Sequence, residues 1–472
     1  MSWHLALSVD RTAGHPLTAQ VRENLCRLID NGTLQPGSRL PSSRQLAADL
    51  RVSRSVVVEA YEQLSAEGYL TARHGSGTKV AEHLGSYAGG SALTGGHPEP
   101  GHTAARWDLR TGKSDVSSFP HQEWIRSMTA VLTAAGGTEL GYGPPSGALR
   151  TRHVLGQYLG RVRGVRTHLQ DTMITSGFAQ GLALLCRVLR DRGHETLGVE
   201  DPGHPGEREF ITSAGLRPVG IPVDDEGLRV DLLERSGVRA VLTTPGNQFP
   251  TGARLSRQRR EKLVAWARAV DGYVVEDDFD GTYTNRSDVD LALQHLAPDR
   301  VVYAGSASKV LAPALRLGWL AGPSELMACV EKMRIGWDIG CSGVEQLTFA
   351  HFVSTGAFDR HQRRLRTEFR KRRELLQDLV PHHLPGAEIV GKTSASHAYV
   401  RLPPDVDEAA LTKAARTRSV LIHGGGFYAM EEHPRPPSLV VGYAAVDSAG
   451  LQESMAELGT AYREVRGRGS RQ

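Results

Sequence analysis

The sequence predicts a two-part chain of mixed α/β class: a small helix-turn-helix carrying a β-hairpin, then a large domain on a mostly parallel sheet with helices on both faces. Three observations predict it. At 472 residues the chain exceeds one typical domain of ~100–200 residues. Between Leu84 and Ala105 the stretch GSYAGGSALTGGHPEPGHTA has no apolar period and is crowded with Gly, Ser and Pro. Helical spacing fills the sequence before that stretch, and short β-rich runs alternate with helical ones after it.

The expected boundaries are residues 1–83 for the first domain, 84–105 for a flexible linker, 106–462 for the large domain, and 463–472 for a frayed basic tail, REVRGRGSRQ, whose arginines are within reach of an anionic partner. A flexible linker of that length spans roughly 25 Å, enough to place the first domain on a neighbouring subunit.

In the first domain, Leu17, Val21, Leu25, Leu28 and Ile29 follow one helical face up to Asn31-Gly32. After Gln35-Pro36-Gly37, Ser42 stands three residues before Gln45 in a capping-box pattern, and Leu46, Ala47 and Leu50 give a short second helix its buried side. Arg51 and Val52 separate it from a new cap at Ser53, and the third helix runs to about Glu67 with Val57, Ala60, Tyr61 and Leu64 inward. Two helices joined so tightly form a helix-turn-helix, whose second helix presents its N-terminal residues to a DNA major groove. Those residues are Ser53, Arg54 and Ser55: the guanidinium suits a guanine edge, and the hydroxyls and free amides suit phosphate oxygens. Arg39 and Arg44 are placed to add phosphate contacts. Tyr69-Leu70-Thr71 and the run from Arg73 through His74 and Gly75 to Thr78 read as a hairpin with a glycine-rich tip, a wing.

In the large domain, strands are expected at Met173–Thr175, Thr196–Val199, Ala240–Thr243, Tyr273–Val275 and Val301–Tyr303, with a helix near residues 178–190. In such sheets ligands bind beyond the carboxyl ends of the strands, and four features fall there. Ser176-Gly177-Phe178-Ala179 opens a helix whose free amides suit a phosphate. Glu276-Asp277-Asp278 supplies a carboxylate for a protonated ring nitrogen. Gly305-Ser306-Ala307-Ser308-Lys309 sets two hydroxyls beside an amine able to form a Schiff base. Arg316 adds a fixed cation for the same phosphate.

PGSRLPSSRQLAADLRVSRSVVVEAYEQLSAEGYLTARHGSGTKV resembles the winged-helix domain of the GntR regulator family, over about Leu5 to Val80. The resemblance implies DNA contacts from Arg39, Ser42, Arg44, Ser53, Arg54 and the Gly75 wing, and by position Ser55 and His74 join them as candidates. The motifs GYGPPSG, EDPGHPGE, TPGNQFPTG, EDDFDGTY and GSASKVLAPALRLGW resemble the MocR/GabR subfamily, in which that domain is fused to a fold-type I aminotransferase-like domain, here about Trp107 to Tyr462. The resemblance implies a smaller C-terminal α/β subdomain and pyridoxal 5'-phosphate (PLP) held as a Schiff base on Lys309. Asp277 then meets the pyridine nitrogen, and Ser306, Ser308, Arg316 and the amides of Phe178 and Ala179 hold the phosphate. Tyr142 reaches the phosphate across a dimer interface.

The sequence also departs from that pattern. His204 stands where the ring-stacking Tyr is usual. Phe279 replaces a Tyr that hydrogen-bonds the cofactor's phenolic oxygen, and Asn247 is the candidate to compensate. An arginine for an amino acid's carboxylate is missing from Ser438–Tyr443, leaving Arg435 and Arg208 as candidate substitutes.

The expected function is therefore a PLP-dependent transcription regulator, not an enzyme with steady turnover. It works as a homodimer, domain-swapped head to tail, on a double-stranded operator, and senses PLP or an amine or amino-acid effector. The alternatives are an active aminotransferase with a DNA-binding appendage and an architectural DNA binder with an empty aminotransferase fold. Charged residues at 23%, hydrophobic ones at 40% and a net charge of +4 describe an ordinary globular chain. Cys26, Cys186, Cys329 and Cys341 lie far apart, without metal or redox spacing, as in a reducing cytosol. With no signal-like N-terminus and no long apolar run, a cytoplasmic protein without membrane insertion is expected.

Overall fold

The computed structural model describes residues 7–12, 14–73, 77–82, 105–279, 291–391, 396–430 and 435–469. The chain divides into two compact units, residues 1–101 and 102–472. The expected linker falls almost wholly outside the described residues, as do His74 and Gly75.

In the first unit, α1 (Leu17–Asp30), α2 (Ser43–Asp49) and α3 (Arg54–Ala66) are followed by the antiparallel pair β1 (Leu70–Arg73) and β2 (Gly77–Val80). Their core is the inward stripe read from the sequence: Val21, Leu25, Leu46, Val57, Ala60, Tyr61 and Leu64 are all buried. The α2–α3 turn is closed by Arg51 in the left-handed region at φ 54°, with its carbonyl accepting from Arg11.

The second unit opens with β3 (Trp107–Asp108). Its large sheet contains β4 (Thr172–Thr175), β5 (Thr196–Asp201), β6 (Arg217–Asp224), β7 (Gly227–Leu228), β8 (Ala240–Thr243), β9 (Tyr273–Asp277), β10 (Val301–Ser306) and β11 (Gly318–Ala321). Their spatial order is β4-β11-β10-β9-β8-β5-β6-β7. The five from β10 to β6 run parallel, and β4, β11 and β7 pair antiparallel at the two ends. Adjacent apolar residues take opposite faces: Val241, Val274 and Val301 pack in one core, and Leu242, Val275 and Val302 in another. That explains why these strands read as unbroken apolar runs.

A smaller antiparallel sheet follows, from β12 (Glu388–Val390), β13 (His397–Arg401), β15 (His423–Gly424) and β16 (Ser438–Gly442), in the order β12-β13-β16-β15, while β14 (Val420–Leu421) pairs with β3. Helices Ala357–His383, Glu408–Thr417 and Ser448–Gly469 share its core. The last helix corrects one expectation: residues 463–469 continue it instead of fraying. Leu451, Met455, Leu458 and Tyr462 are buried, Val465 packs against them, and Arg466 bridges to Asp405 at 2.7 Å.

Candidate functional site

The first unit gathers its cations on exposed backbone turns and helix starts. Ser42 Oγ accepts from the Gln45 amide at 3.2 Å, the expected cap of α2. Ser53 occupies the cap position of α3, but its side chain makes no capping bond; its Oγ lies 2.8 Å from Ser55 Oγ instead. The first amides of α3 therefore face outward beside two hydroxyls. Arg54 Nε reaches Ser43 Oγ at 3.4 Å, leaning on α2. Arg39 bridges to Lys79 through its backbone and lays its guanidinium over Gly77, where a Cβ would stand 3.0 Å from Nε. Among the described residues Arg39, Arg44 and Arg54 are exposed and none is ion-paired to a carboxylate. Ser42, Arg44, Ser53, Arg54 and Ser55 lie on the two helix starts, and Arg39 lies beside the wing.

In the second unit the register of three strands builds the cradle. Gly318 on β11 pairs with both Thr175 on β4 and Ser306 on β10, so the ends of all three strands lie side by side. Gly177, at φ 84°, turns β4 into the helix Phe178–Asp191 and leaves the first amides of that helix without a side-chain cap. Arg316, held at φ 47°, donates from Nη2 to the Ser176 carbonyl at 2.7 Å. A Cβ on Gly177 would stand 3.1 Å from Arg316, and one on Gly318 would stand 2.6 Å from the backbone of Gly177. Both positions therefore need glycine for this approach. The result is a strand-end recess with the exposed Arg316 guanidinium, the half-buried Ser306 and the amides of Phe178 and Ala179, donors suited to a phosphate. Ser308 presents its carbonyl to Ser114 Oγ at 2.8 Å. Lys309 is half-buried and donates to the Gly112 carbonyl.

The three acids ending β9 have separate tasks. Glu276 accepts from the amides of Leu293 and Gln294 at 2.8 and 3.0 Å. Asp278 forms a buried ion pair with Arg163 at 2.7 Å and accepts from the Tyr303 hydroxyl. Asp277 remains, buried at the strand end. Burial and the neighbouring Asp278 charge raise its pKa well above the usual carboxylate range, against which the Lys309 ammonium acts. A cationic ring nitrogen would favour its charged form in the same way.

His204 caps the helix Pro205–Ser213, its Nδ1 accepting from the Gly206 amide at 3.1 Å. This bond fixes the proton of the neutral ring on Nε2. Burial, then the charges of Lys309 and Arg208, push its pKa down to about 4, so the ring stays neutral. Phe249 packs on it at 5.5 Å between centroids and also touches Phe279, His397 and Tyr428. Phe279 thus joins an aromatic wall with no hydroxyl to offer. Asn247 is buried, with Oδ1 3.7 Å from where a Cβ on Gly252 would stand.

The two substitute arginines are committed elsewhere. Arg208 donates to the carbonyls of Ala429 and Tyr428 at 3.0 and 3.4 Å. Arg435 pairs with the buried Asp201 at 2.9 Å. Tyr142 is 96% exposed. Sequence reasoning missed Arg163, the Gly112 carbonyl and His397, because each meets its partner only through long-range folding. Among the described residues no cluster of three or more His, Cys, Asp or Glu could hold a metal ion, and no helix is long and apolar enough to cross a membrane.

Residues 17–80 match the family model described as bacterial regulatory proteins, gntR family, and residues 108–458 match that for aminotransferase class I and II. The chain is 31% identical to the HTH-type pyridoxine biosynthesis transcriptional regulator PdxR of Corynebacterium glutamicum, across 94% of this chain and 96% of that protein. It is 28% identical to the probable rhizopine catabolism regulatory protein MocR of Rhizobium meliloti, across 98% of this chain and 97% of that protein. The solved multiple substrate aminotransferase of Thermococcus profundus covers 78% of this chain and 93% of its own, with a TM-score of 0.70 at 23% identity, a likeness of fold. The chain belongs to the gntR family of bacterial regulators, in the MocR-type branch that joins a helix-turn-helix to an aminotransferase class I and II domain, and is a DNA-binding transcription regulator.

Proposed function

We propose that this regulator carries PLP on Lys309 and uses that site to sense PLP or an amine or amino-acid effector, changing its grip on an operator. The observation that supports it most is the convergence of Lys309, the buried Asp277 and the Ser176–Gly177/Arg316/Ser306 recess. The donor set fits the cofactor: an amine for its aldehyde, a carboxylate of raised pKa for its ring nitrogen, and a recess kept open by Gly177 for its phosphate. In this reading Ser308, Phe178 and Ala179 complete the phosphate site, His204 covers one face of the ring as a neutral imidazole, and Asn247 stands near the phenolic side. Bound there, PLP supplies an aldehyde that condenses with primary amines.

Sensing is favoured over turnover by three side chains. Phe279 offers no hydroxyl to tune or move a proton, and Arg208 and Arg435 are already engaged by carbonyls and by Asp201. The aminotransferase alternative would require sustained amino-group transfer at about 1 s⁻¹ or faster.

A cytoplasmic homodimer completes the reading. Leu140, Tyr142, Ile335, Trp337 and Ile339 are large, apolar and each at least half exposed, and they lie on two adjoining segments, since Gly343 approaches the Glu139 carbonyl. Such a patch suits a second copy. It reaches the cradle through Cys341, whose Sγ lies 3.2 Å from Ser176 Oγ, so Tyr142 of the partner subunit can complete the phosphate site.

Lys309→Ala tests the attachment. The visible absorbance band of the lysine-bound cofactor is expected to vanish while the far-ultraviolet circular dichroism of the folded chain persists. Retention of the band would refute the assignment.

A further inference from the structure

A second cavity, of about 920 Å³, opens between the large sheet and the small one, and its lining shares neither Lys309 nor Asp277 nor His204. Small-molecule sites commonly measure ~300–1,000 Å³. Its walls are apolar where Pro202, Val223 and Val390 face it, and its charged lining carries both signs, with Arg254, Arg401 and Arg435 among several acids. Arg401 is paired with Glu388 at 2.7 Å and Asp224 with Arg259, while Arg435, Asp225 and Glu226 line the same cleft.

Arg435 is the informative residue. Its Nη2 is bound to Asp201, yet its Nη1 is buried and has no acceptor among the described residues. A buried guanidinium N–H left unpaired costs free energy that an incoming carboxylate oxygen would recover. Asp225 is exposed, and Glu226 is 63% exposed with only a 3.5 Å pairing to Arg259. Both keep room for an ammonium group.

We propose that this cleft is a second small-molecule site for a zwitterionic ligand, whose carboxylate takes the free edge of Arg435 and whose ammonium lies toward Asp225 and Glu226. The site is wired to the cofactor by the chain itself. Asp201, the partner of Arg435, ends β5 three residues before His204 and accepts from the Met430 amide at 2.9 Å. A ligand that draws Arg435 therefore pulls on the loop that carries the ring-covering imidazole.

The test is calorimetric titration of the full-length, PLP-saturated protein with 4-(dimethylamino)butanoate. This probe carries both charges but, as a tertiary amine, cannot condense with an aldehyde. Saturable binding is expected, weakened about tenfold or more in Arg435→Gln through loss of the charged hydrogen bond. Because Arg435→Gln also strips Asp201 of its partner, Val390→Trp serves as the second variant. It narrows the cleft at the small-sheet wall and leaves Arg435 and Asp201 in place, so it should weaken probe binding while the cofactor band stays unchanged. Succinate and N,N-dimethylbutylamine, each with one kind of charge, should bind more weakly than the probe. Absence of saturable binding to the wild type, equal affinity in Val390→Trp, or equal affinity for succinate would each overturn the proposal. None of these outcomes bears on Lys309, whose own test is the absorbance band.

Discussion

The DNA-reading face and the cofactor cradle both depend on arginines, but they use them in opposite ways. On α2, α3 and beside the wing, Arg44, Arg54 and Arg39 are exposed and, among the described residues, have no carboxylate partner, so their charge remains available to an anion. Around the cradle, Arg163, Arg208 and Arg435 are tied to Asp278, to carbonyls and to Asp201. In the proposed reading the first set meets DNA, and the second mostly holds the pocket in shape. Arg316, exposed at the strand ends, combines both roles, with Nη2 on the Ser176 carbonyl.

This contrast can be broken most forcefully at Arg163. Arg163→Met leaves Asp278 buried without its counter-ion, a loss of about 3–5 kcal/mol. Thermal unfolding should show the second unit melting far earlier, and Asp278→Asn added to it should recover part of the loss, a coupling that a double-mutant cycle measures. An unchanged melting profile would mean that the pair contributes nothing.

On the reading face, Arg54→Ala should leave the melting profile unchanged and weaken operator binding by roughly 1–3 kcal/mol if the side chain reads a base. An equal loss on random DNA would reassign it to a phosphate. Gly177→Ala should be milder, about 1–2 kcal/mol for a side chain forced into the left-handed region. It should appear as weaker PLP binding, because the new Cβ presses on Arg316.

The smallest effect is on pH. His397, fully buried, has its pKa pushed down from 6.5 to about 4 by burial, so the unfolded chain takes up its proton first. Stability of the second unit should therefore be full above pH 6.5 and decline as pH falls toward 4. No buried histidine is among the described residues of the first unit, so its unfolding should lack this component. A second unit whose midpoint is flat across that window would contradict the neutral assignment.

The two regions also differ in how far the sequence reveals them. Caps, helical spacing and the hairpin of the first unit are local patterns, and Ser42, Leu46, Val57 and Leu64 stand where spacing places them. Spacing predicts a capping bond from Ser53 that the structure lacks, since a rotation of one hydroxyl toward Ser55 decides it. In the cradle, the motifs named the segments but not the division of labour. Which of Glu276, Asp277 and Asp278 faces the cofactor side depends on Arg163, 115 residues away from Asp278. Arg435 was placed near an effector's carboxylate because the motif at 438–443 lacked an arginine, whereas the fold directs it to Asp201. The last helix is a different lesson: Leu451, Met455, Leu458, Tyr462 and Val465 keep helical spacing into a stretch whose polar composition suggested fraying.

The central claim is that what happens at Lys309 reaches the DNA. Operator binding by the full-length protein and by Lys309→Ala, titrated with and without PLP at one fixed ionic strength, tests it most directly. The account predicts that PLP changes wild-type affinity by about fivefold or more and leaves Lys309→Ala unmoved. The same response in both proteins, or none in either, would contradict it.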